Sequence, residues 1–282
     1  GMPLDVAVAG TTSQWLDGLV IRLADRHNVA VPRTNRGGGR DQIAGGYVHE
    51  VEAGVHPWVA VLDFKSMYPS IMIANNICYT TRIDELARPD EIVEEGIHEA
   101  PDGARYLPAT FRRGIVPRLL EDLMELRDRH KESLREAIEN KDSTGEIFHS
   151  RMQYAVKILM NSFYGVFASK FYRFTHPELG ASITAWARSN IKTIIAQLEE
   201  EGHPVVYSDT DSVFVRAPVD EGVPGKEPEE GEARGAWEGA CATMIEFGEE
   251  LAERYSREGA ELEFETGLSV FFSHGAKKRY IG

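Results

Sequence analysis

Three aspartates lie at or near the ends of apolar, strand-like runs, a pattern typical of a metal-binding site. Asp63 follows the run VAVL, and Asp209 and Asp211 lie one residue apart between the apolar runs 205–207 and 212–215. Alternate residues of an extended chain point to the same side, and two neighbouring carboxylates repel each other unless a cation neutralises them. Asp63 alone could instead cap the helix that follows, and the pair alone could be a solvated turn. The apolar frame around the pair favours a metal site.

The three carboxylates together predict a site for two Mg²⁺ ions. Carboxylates from two distant strands can hold two ions about 3.5–4 Å apart. Mg²⁺ prefers a few carboxylates completed by substrate phosphates, and Mn²⁺ can substitute for it. In phosphoryl transfer, one ion would activate an attacking 3′-hydroxyl. Both ions would stabilise charge on the phosphate and on the leaving pyrophosphate.

A second group of residues lies on two predicted helices. Lys157, Asn161 and Tyr164 follow the spacing i, i+4 and i+7, which places them on one helix face. A lysine, an amide and an aromatic ring could read a nucleotide, with the charge on phosphate and the ring on the base pair. Arg127 and Lys131 could join Lys157 in binding a triphosphate. Taken alone, both sets could equally be solvated helix faces, the first with a buried tyrosine.

The overall charge argues at first against a nucleic-acid partner. The chain of 282 residues has a net charge of -14, and phosphate binding favours a basic surface. The acidic residues are concentrated, however, in a Pro- and Gly-rich stretch at 217–235 and in a run at 246–253. Basic residues gather at 112–135 and at 277–279, where three cations precede a tyrosine. The distribution of charge is therefore compatible with DNA binding.

Two features bear on the cellular compartment. No apolar run approaches the roughly 20 residues that span a bilayer, so no membrane partner is expected. The two cysteines, Cys78 and Cys241, match no metal or redox spacing. A reducing, cytoplasmic location is therefore the expectation.

The order of the predicted elements favours an α+β fold with an antiparallel sheet over a doubly wound one. Two long helices joined by a short turn predict an antiparallel helical hairpin. Helices are predicted at 13–29, 114–140, 146–165, 177–200 and 236–257, with a further one beginning near 70, and strands at 47–51, 58–64, 205–207, 212–215, 261–266, 268–273 and 278–281.

The same segments resemble the motifs of the family B DNA polymerases, in an archaeal-like form. DFKSMYPS at 63–70 is similar to motif A, KILMNSFYG at 157–165 to motif B, and YSDTDS at 207–212 to motif C. KKRY at 277–280 resembles the family's lysine-rich element that touches primer–template DNA. Four motifs in the family's order are far more specific than any one of them.

The resemblance implies a right-hand polymerase: a palm with an antiparallel, ferredoxin-like sheet, and fingers made of the helical hairpin. Residues 1–46 would form an N-terminal helix and linker, and 113–166 the fingers with motif B. Residues 47–112 and 167–282 would form the palm, the first part with motif A and the second with motif C and KKRY. The family's exonuclease and thumb domains are not recognisable, so the chain is expected to be a fragment.

The resemblance also implies a role for individual residues. Asp63 and Asp211 would bind both metals with the Phe64 carbonyl group, and Asp209 would support the site. Tyr68 would be the steric gate that excludes a 2′-hydroxyl. The remaining implied residues are Ser66 and Met67 for phosphate, Arg127, Lys131 and Lys157 for the triphosphate, Asn161 and Tyr164 for the nascent base pair, Gly165, Lys277, Lys278, Arg279 and Tyr280 for DNA, and Glu263 and Glu265 as a carboxylate pair near the metals.

The expected function is that of a DNA-directed DNA polymerase core, which transfers dNTPs to a primer 3′-hydroxyl on primer–template DNA. As a fragment it is expected to have little activity. One alternative is an inactive, polymerase-derived module that binds DNA or serves as a scaffold. A reverse transcriptase is disfavoured because Thr210 separates the two aspartates, which reverse transcriptases typically place side by side.

Overall fold

The computed structural model describes residues 8–33, 45–49, 53–83, 96–168, 172–174, 176–219, 227–276 and 278–282. The chain divides into two compact units. The first unit contains residues 1–44 and 68–185, and the second contains 45–67 and 186–282.

The elements follow one another in the order helix, strand, helix, two short strands, three helices, two strands, helix and two strands. They are α1 (Thr12–Arg26), β1 (Gly54–Phe64), α2 (Met67–Ala74), β2 (His98–Glu99), β3 (Arg105–Tyr106), α3 (Ile115–Glu139), α4 (Ser143–Phe167), α5 (Pro177–Glu200), β4 (Val205–Asp209), β5 (Ser212–Arg216), α6 (Glu232–Tyr255), β6 (Leu262–Ser273) and β7 (Tyr280–Ile281).

Helices α3 and α4 form an antiparallel hairpin in the first unit, and α1 packs against both of them. Asp142 caps α4, because its side chain accepts hydrogen bonds from the amides of Thr144 at 3.2 Å and Gly145 at 3.0 Å. Within the hairpin, the Nδ1 atoms of His130 in α3 and His149 in α4 lie 2.9 Å apart and link the two helices. The hairpin is thus fixed by apolar packing along its length, by this contact and by the cap at its turn.

Asn76 fixes the chain where it enters α3. This residue is fully buried. Its Nδ2 donates hydrogen bonds to the carbonyl oxygens of Leu107 at 2.7 Å and Arg112 at 2.8 Å, and its Oδ1 accepts one from the Gly114 amide at 2.8 Å. A buried amide with three partners repays its desolvation. The loop before α3 is therefore held in one conformation.

The second unit is built on a five-stranded sheet in the order β4-β5-β1-β6-β7. Every neighbouring pair is antiparallel. β1 lies at the centre, and its burial pattern is nearly continuous because neighbouring strands cover its edges and packed side chains cover its faces. Its residues Val59 and Val61 form one buried cluster with Val206, Tyr207, Phe214 and Phe271 of the other strands.

Helix α6 packs closely on β1 and β6, and two glycines permit this approach. A Cβ atom at Gly248 would lie 3.2 Å from the Cβ of Ala60 and would meet the ring of Phe264. A Cβ atom at Gly267 in β6 would collide with the side chain of Met244. The absence of a side chain at each position lets the partner's bulky side chain fill the space.

The predicted α+β class with an antiparallel sheet is confirmed. Helix α5 has the predicted bounds, and α3 lies within one residue of them. Among the described residues, no helix is long and apolar enough to cross a membrane. The division into palm and fingers stays a prediction.

Several element bounds differ from the prediction. The two strands predicted at 261–266 and 268–273 are one strand, β6, because Gly267 keeps its pairing with Ala60.

Helix α2 begins at Met67 rather than near Ser70. Ser66, with a φ of 48°, completes the turn, and Pro69 is tolerated because the first amides of a helix need no partner within it. Helix α6 begins four residues earlier than predicted and β1 begins at residue 54. Part of the strand predicted at 47–51 lies outside the described residues.

Candidate functional site

Strand pairing brings Asp63 and Asp211 to adjoining positions at one end of the sheet. Asp63, the last residue but one of β1, pairs with Ser212 of β5 on one side and with Glu263 of β6 on the other. The Phe64 amide donates a hydrogen bond to the carbonyl oxygen of Asp211 at 2.8 Å. Two carboxylates that are distant in the sequence therefore share one region of the second unit.

The turn between β4 and β5 is tightly held. Thr210 has a φ of 56°, which is unusual for a β-branched residue. Its amide donates to the Tyr47 carbonyl oxygen at 2.9 Å, and its Oγ1 donates to Asp209 Oδ1 at 3.0 Å. The Asp211 amide donates to the Asp209 carbonyl oxygen at 2.6 Å. These hydrogen bonds hold the strained backbone in place. Strained backbone that is held in this way often accompanies functional sites.

The surroundings of Asp211 raise the pKa of its carboxyl group. Burial and the negative charges of Asp209 and Glu265 act in this direction, while Lys278 opposes them. The side chain of Asp211 is exposed, so we attribute the shift mainly to the neighbouring charges rather than to burial. The two like charges raise the pKa whatever the extent of that burial. A bound cation would relieve this repulsion.

Asp209 has an internal counter-ion. Its Oδ1 lies 3.1 Å from the ammonium group of Lys278. The Lys278 amide also donates a hydrogen bond to the hydroxyl of Tyr207, in β4, at 3.1 Å. The basic element near the chain end is thereby joined to the strand that carries Asp209.

Glu263 and Glu265 add negative charge to the same end of the sheet. Both lie on β6 and are exposed. Glu263 stands opposite Asp63 in the register, and directly opposed like charges are destabilising. Within the described parts of the chain, no three or more His, Cys, Asp and Glu side chains converge as a metal-binding group. Asp63, near the end of β1, and Asp211, just before β5, still offer oxygen donors of the type that Mg²⁺ prefers, so the donor chemistry fits this ion.

A shallow depression of about 510 Å³ adjoins this acidic region in the second unit. It is lined by Lys65, Arg257 and three glutamates, among them Glu261 and Glu263. Lys65 Nζ lies 3.7 Å from Glu261 Oε2. None of the three aspartates lines the depression, which therefore neighbours the carboxylates without enclosing them.

Two tyrosines predicted to contact a nucleotide stack on each other in the first unit. The ring centroids of Tyr68 and Tyr164 lie 4.3 Å apart, with an angle of 27° between the ring planes. Tyr68 lies in the first turn of α2 and Tyr164 near the end of α4. The structure therefore brings these two predicted residues together.

The predicted cations of the hairpin lie on α3 and α4. Arg127 is partly buried, and its Nε atom is inaccessible to water and has no hydrogen-bond partner within the described residues. Such an unsatisfied donor is costly, and an anion would satisfy it. Lys131 is partly buried, whereas Lys157 and Asn161 are exposed on α4. Helical spacing places Lys157, Asn161 and Tyr164 along one side of α4.

The remaining predicted residues have varied surroundings. Ser66 forms the turn between β1 and α2, and Met67 is buried. Gly165 and Arg279 are exposed, and the ring of Tyr280 packs 5.5 Å from that of Phe214. Lys277 lies outside the described residues.

The ion pair between Lys278 and Asp209 was not foreseen from the sequence, which indicated only a DNA contact for the lysine. The two residues are far apart in the chain, and no local pattern relates them. The hydroxyl of Tyr207 was likewise not foreseen as a partner of the Lys278 amide, because an apolar strand run indicates only a core position.

The family model for DNA polymerase family B matches residues 2–223 of the chain. DNA polymerase 2 of Aeropyrum pernix is 34% identical over 292 residues, an alignment that covers 100% of this chain and 31% of that protein. The DNA polymerase delta catalytic subunit of Glycine max is 30% identical over 299 residues, which covers 100% of this chain and 25% of that protein.

A solved structure is also similar. The family B DNA polymerase from the archaeon Pyrobaculum calidifontis superposes with a TM-score of 0.67 and 27% sequence identity, over 99% of this chain and 32% of that one. The chain therefore spans less than a third of the length of these similar proteins.

Proposed function

The chain belongs to DNA polymerase family B, and on that premise we propose that it is the catalytic core of a DNA-directed DNA polymerase. The proposed reaction transfers dNTPs to the 3′-hydroxyl of a primer paired with a template. The observation that carries the proposal is the pairing of β1 with β5, which sets Asp63 and Asp211 at adjoining positions. The acidic residues around them favour a divalent cation as partner.

Asp63 and Asp211, with the Phe64 carbonyl group, are the proposed ligands of two Mg²⁺ ions. When bound, the ions would supply charge stabilisation for phosphoryl transfer. Asp211 must be deprotonated to act as a ligand, and its raised pKa makes that step dependent on pH. Asp209 would support the turn through its contacts with Thr210 and Lys278.

The proposed nucleotide contacts rest on the family resemblance and on the chemistry of the side chains. Arg127, Lys131 and Lys157 would bind the triphosphate, and the unsatisfied Nε of Arg127 supports an anion there. Amides of Ser66 and Met67 would bind phosphate. Asn161 and Tyr164 would contact the nascent base pair. Tyr68 would exclude a 2′-hydroxyl, and its stacking on Tyr164 supports a fixed ring position.

Primer–template DNA is the proposed partner of Gly165, Lys277, Lys278, Arg279 and Tyr280. The exposure of Arg279 supports this assignment. The family's exonuclease and thumb domains would be further parts of the complete enzyme, since the chain spans less than a third of its relatives. Duplex binding by this chain alone is therefore expected to be weak.

Addition of a single nucleotide tests the proposed activity. The chain, in excess over a labelled primer–template, is incubated with one complementary dNTP and Mg²⁺ or Mn²⁺. We expect extension by one nucleotide, and we expect Asp211→Asn to abolish it because a neutral amide is a poor metal ligand. Glu249→Gln, an exposed change on α6, is the control and should leave extension intact.

The same assay separates the proposed enzyme from a non-catalytic module. If the wild-type chain binds primer–template, as measured by fluorescence anisotropy, but does not extend it with either metal, a DNA-binding or scaffold role is favoured. Extension that survives Asp211→Asn would instead show that Asp211 is not part of the catalytic site.

A further inference from the structure

One side of α4 exposes large apolar and aromatic side chains to solvent. Ile147 is 54% exposed, Tyr154 60% and Ile158 48%. Together with Arg151 they follow the spacing i, i+4, i+7 and i+11, which places them on a single helix face. We call these four residues the α4 strip. The opposite side of α4 is buried in the hairpin through Val156, Met160, Phe163 and Phe167.

The segment that contains the α4 strip also has an unusual charge. Acidic residues make up 45 of the 282 in the chain, about one in six. From Ile147 to its end at Phe167, α4 nevertheless contains no aspartate or glutamate, and it contains two cations, Arg151 and Lys157. Among the described residues, Arg151 and Lys157 form no ion pair. A locally basic helix in an otherwise acidic chain favours an anionic partner.

The presence of an aromatic ring beside the cations indicates which class of anionic partner is favoured. Duplex phosphates require only cations and polar groups. An exposed tyrosine ring beside unpaired cations suits single-stranded nucleic acid, whose unstacked bases stack on aromatic side chains while cations follow the backbone. Along the helix axis, Tyr154 lies about 4.5 Å from both Arg151 and Lys157. The ring is therefore flanked by one positive charge on each side.

We propose that the α4 strip binds single-stranded DNA, with a base stacked on Tyr154 and a phosphate on Arg151. The identity of this DNA strand rests on the proposed function, under which it is the unpaired template. Apart from Ile158, the residues of the strip lie between the start of α4 and Lys157, which is the first proposed nucleotide residue on this helix. The α4 strip therefore adds Ile147, Arg151 and Tyr154 to the residues that the family motifs mark.

The test measures binding of a fluorescein-labelled oligo(dT) strand to the chain by fluorescence anisotropy, in EDTA and at low salt. We expect Tyr154→Ala to weaken binding by about 5- to 150-fold, the range for loss of one base–aromatic stack. Tyr154→Phe keeps the ring and should bind within about twofold of wild type. Arg151→Gln should reduce the slope of log affinity against log salt by about 0.7, the contribution of one single-strand phosphate.

Two exposed residues of the same unit provide matched controls. Phe111→Ala removes an aromatic ring that is 53% exposed, and Arg105→Gln removes an exposed cation of β3. Both should bind oligo(dT) as wild type does. Because Tyr154 is largely exposed, its substitution should leave the melting temperature unchanged, and circular dichroism checks this.

Three outcomes would overturn the proposal. They are wild-type affinity in Tyr154→Ala, an equal loss in Tyr154→Phe and Tyr154→Ala, and an equal loss for a blunt duplex of the same length. Asp211→Asn separates this proposal from the proposed activity. That variant should bind oligo(dT) normally although it does not extend a primer, so each of the two proposals can fail without the other.

Discussion

At the scale of single residues, the aspartates at the end of the sheet differ in how their charge is balanced. Asp209 has Lys278 as a close counter-ion. Asp211 forms no ion pair among the described residues, and its pKa is raised by burial and by two negative neighbours. A group whose pKa is higher in the folded state loses its stabilising contribution as the pH rises through that pKa. Ionised Asp211 therefore destabilises the metal-free chain at neutral pH.

Replacement of this carboxylate should stabilise the metal-free protein. We expect Asp211→Asn to melt at a higher temperature than wild type at pH 8 in EDTA, because the amide carries no charge. The gain should shrink as the pH falls toward 4, where the carboxyl group is increasingly protonated in both states. Differential scanning calorimetry across this pH range measures both effects.

Glu249→Gln is the control for this prediction, since it removes an equal charge from an exposed position on α6. Its melting temperature should follow that of wild type at each pH. An Asp211→Asn variant that melts at or below the wild-type temperature at pH 8 would contradict the prediction.

Tyr68 yields a second prediction at this scale, which depends on the proposed function. Tyr68→Ala removes the ring that stacks on Tyr164 and should admit a ribonucleotide. We expect discrimination against the ribonucleotide, measured as a ratio of kcat/KM values in single-nucleotide addition, to fall by at least about tenfold. Tyr68→Phe keeps the ring and should retain wild-type discrimination. Unchanged discrimination in Tyr68→Ala would remove this residue from the gate role.

At the scale of elements, the position of Asp63 depends on β1, and β1 is supported by α6. The helix approaches closely only because glycines lie at the contact, as at Gly248. Gly239, in the same helix, has no atom within 4 Å of the position that a Cβ would take. An added methyl group therefore has no room at Gly248 and open space at Gly239.

The same substitution at these two glycines should have opposite effects. We expect Gly248→Ala to lower the free energy of unfolding by about 1–3 kcal/mol, because an added methyl group overpacks the contact with Ala60 and Phe264. Gly239→Ala should raise the free energy of unfolding by up to about 1 kcal/mol, through helix propensity alone. Urea denaturation measures both changes. A stabilised Gly248→Ala variant would show that the sheet shifts to make room for the added methyl group.

The elements also show what the sequence could predict. Helices α3 and α5 were predicted closely because their apolar spacing is local to each segment. The unbroken β6 was not predicted, because Gly267 indicates a break when read locally. In the structure the same glycine makes room for Met244. The residue types at Asp63, Asp209 and Asp211 pointed to a common site, but the pairing of β1 with β5 depends on contacts between distant segments.

At the scale of the whole molecule, charge governs the encounter with DNA. A net charge of -14 repels a polyanion, so binding depends on local cations. Arg279 is one such cation and is exposed near the chain end. Each phosphate that a protein neutralises makes duplex affinity fall more steeply with salt.

Affinity for primer–template DNA should therefore depend strongly on salt. Between about 50 and 200 mM NaCl we expect at least a tenfold loss, as two or more phosphate contacts would give. Arg279→Gln should reduce the slope of log affinity against log salt by about 0.9, the contribution of one duplex phosphate. Anisotropy titrations measure the slopes, with Arg105→Gln, an exposed change on β3, as a control. An unchanged slope in Arg279→Gln would exclude this phosphate contact.

The contact between His130 of α3 and His149 of α4 has a consequence for proton placement. Their Nδ1 atoms lie 2.9 Å apart, and a neutral imidazole carries its hydrogen on only one nitrogen. When both rings are neutral, one is therefore the Nδ1–H tautomer and the other the Nε2–H tautomer. Two residues of the same type thus become chemically inequivalent. Nitrogen-15 spectra of the imidazoles should distinguish them while this contact is formed.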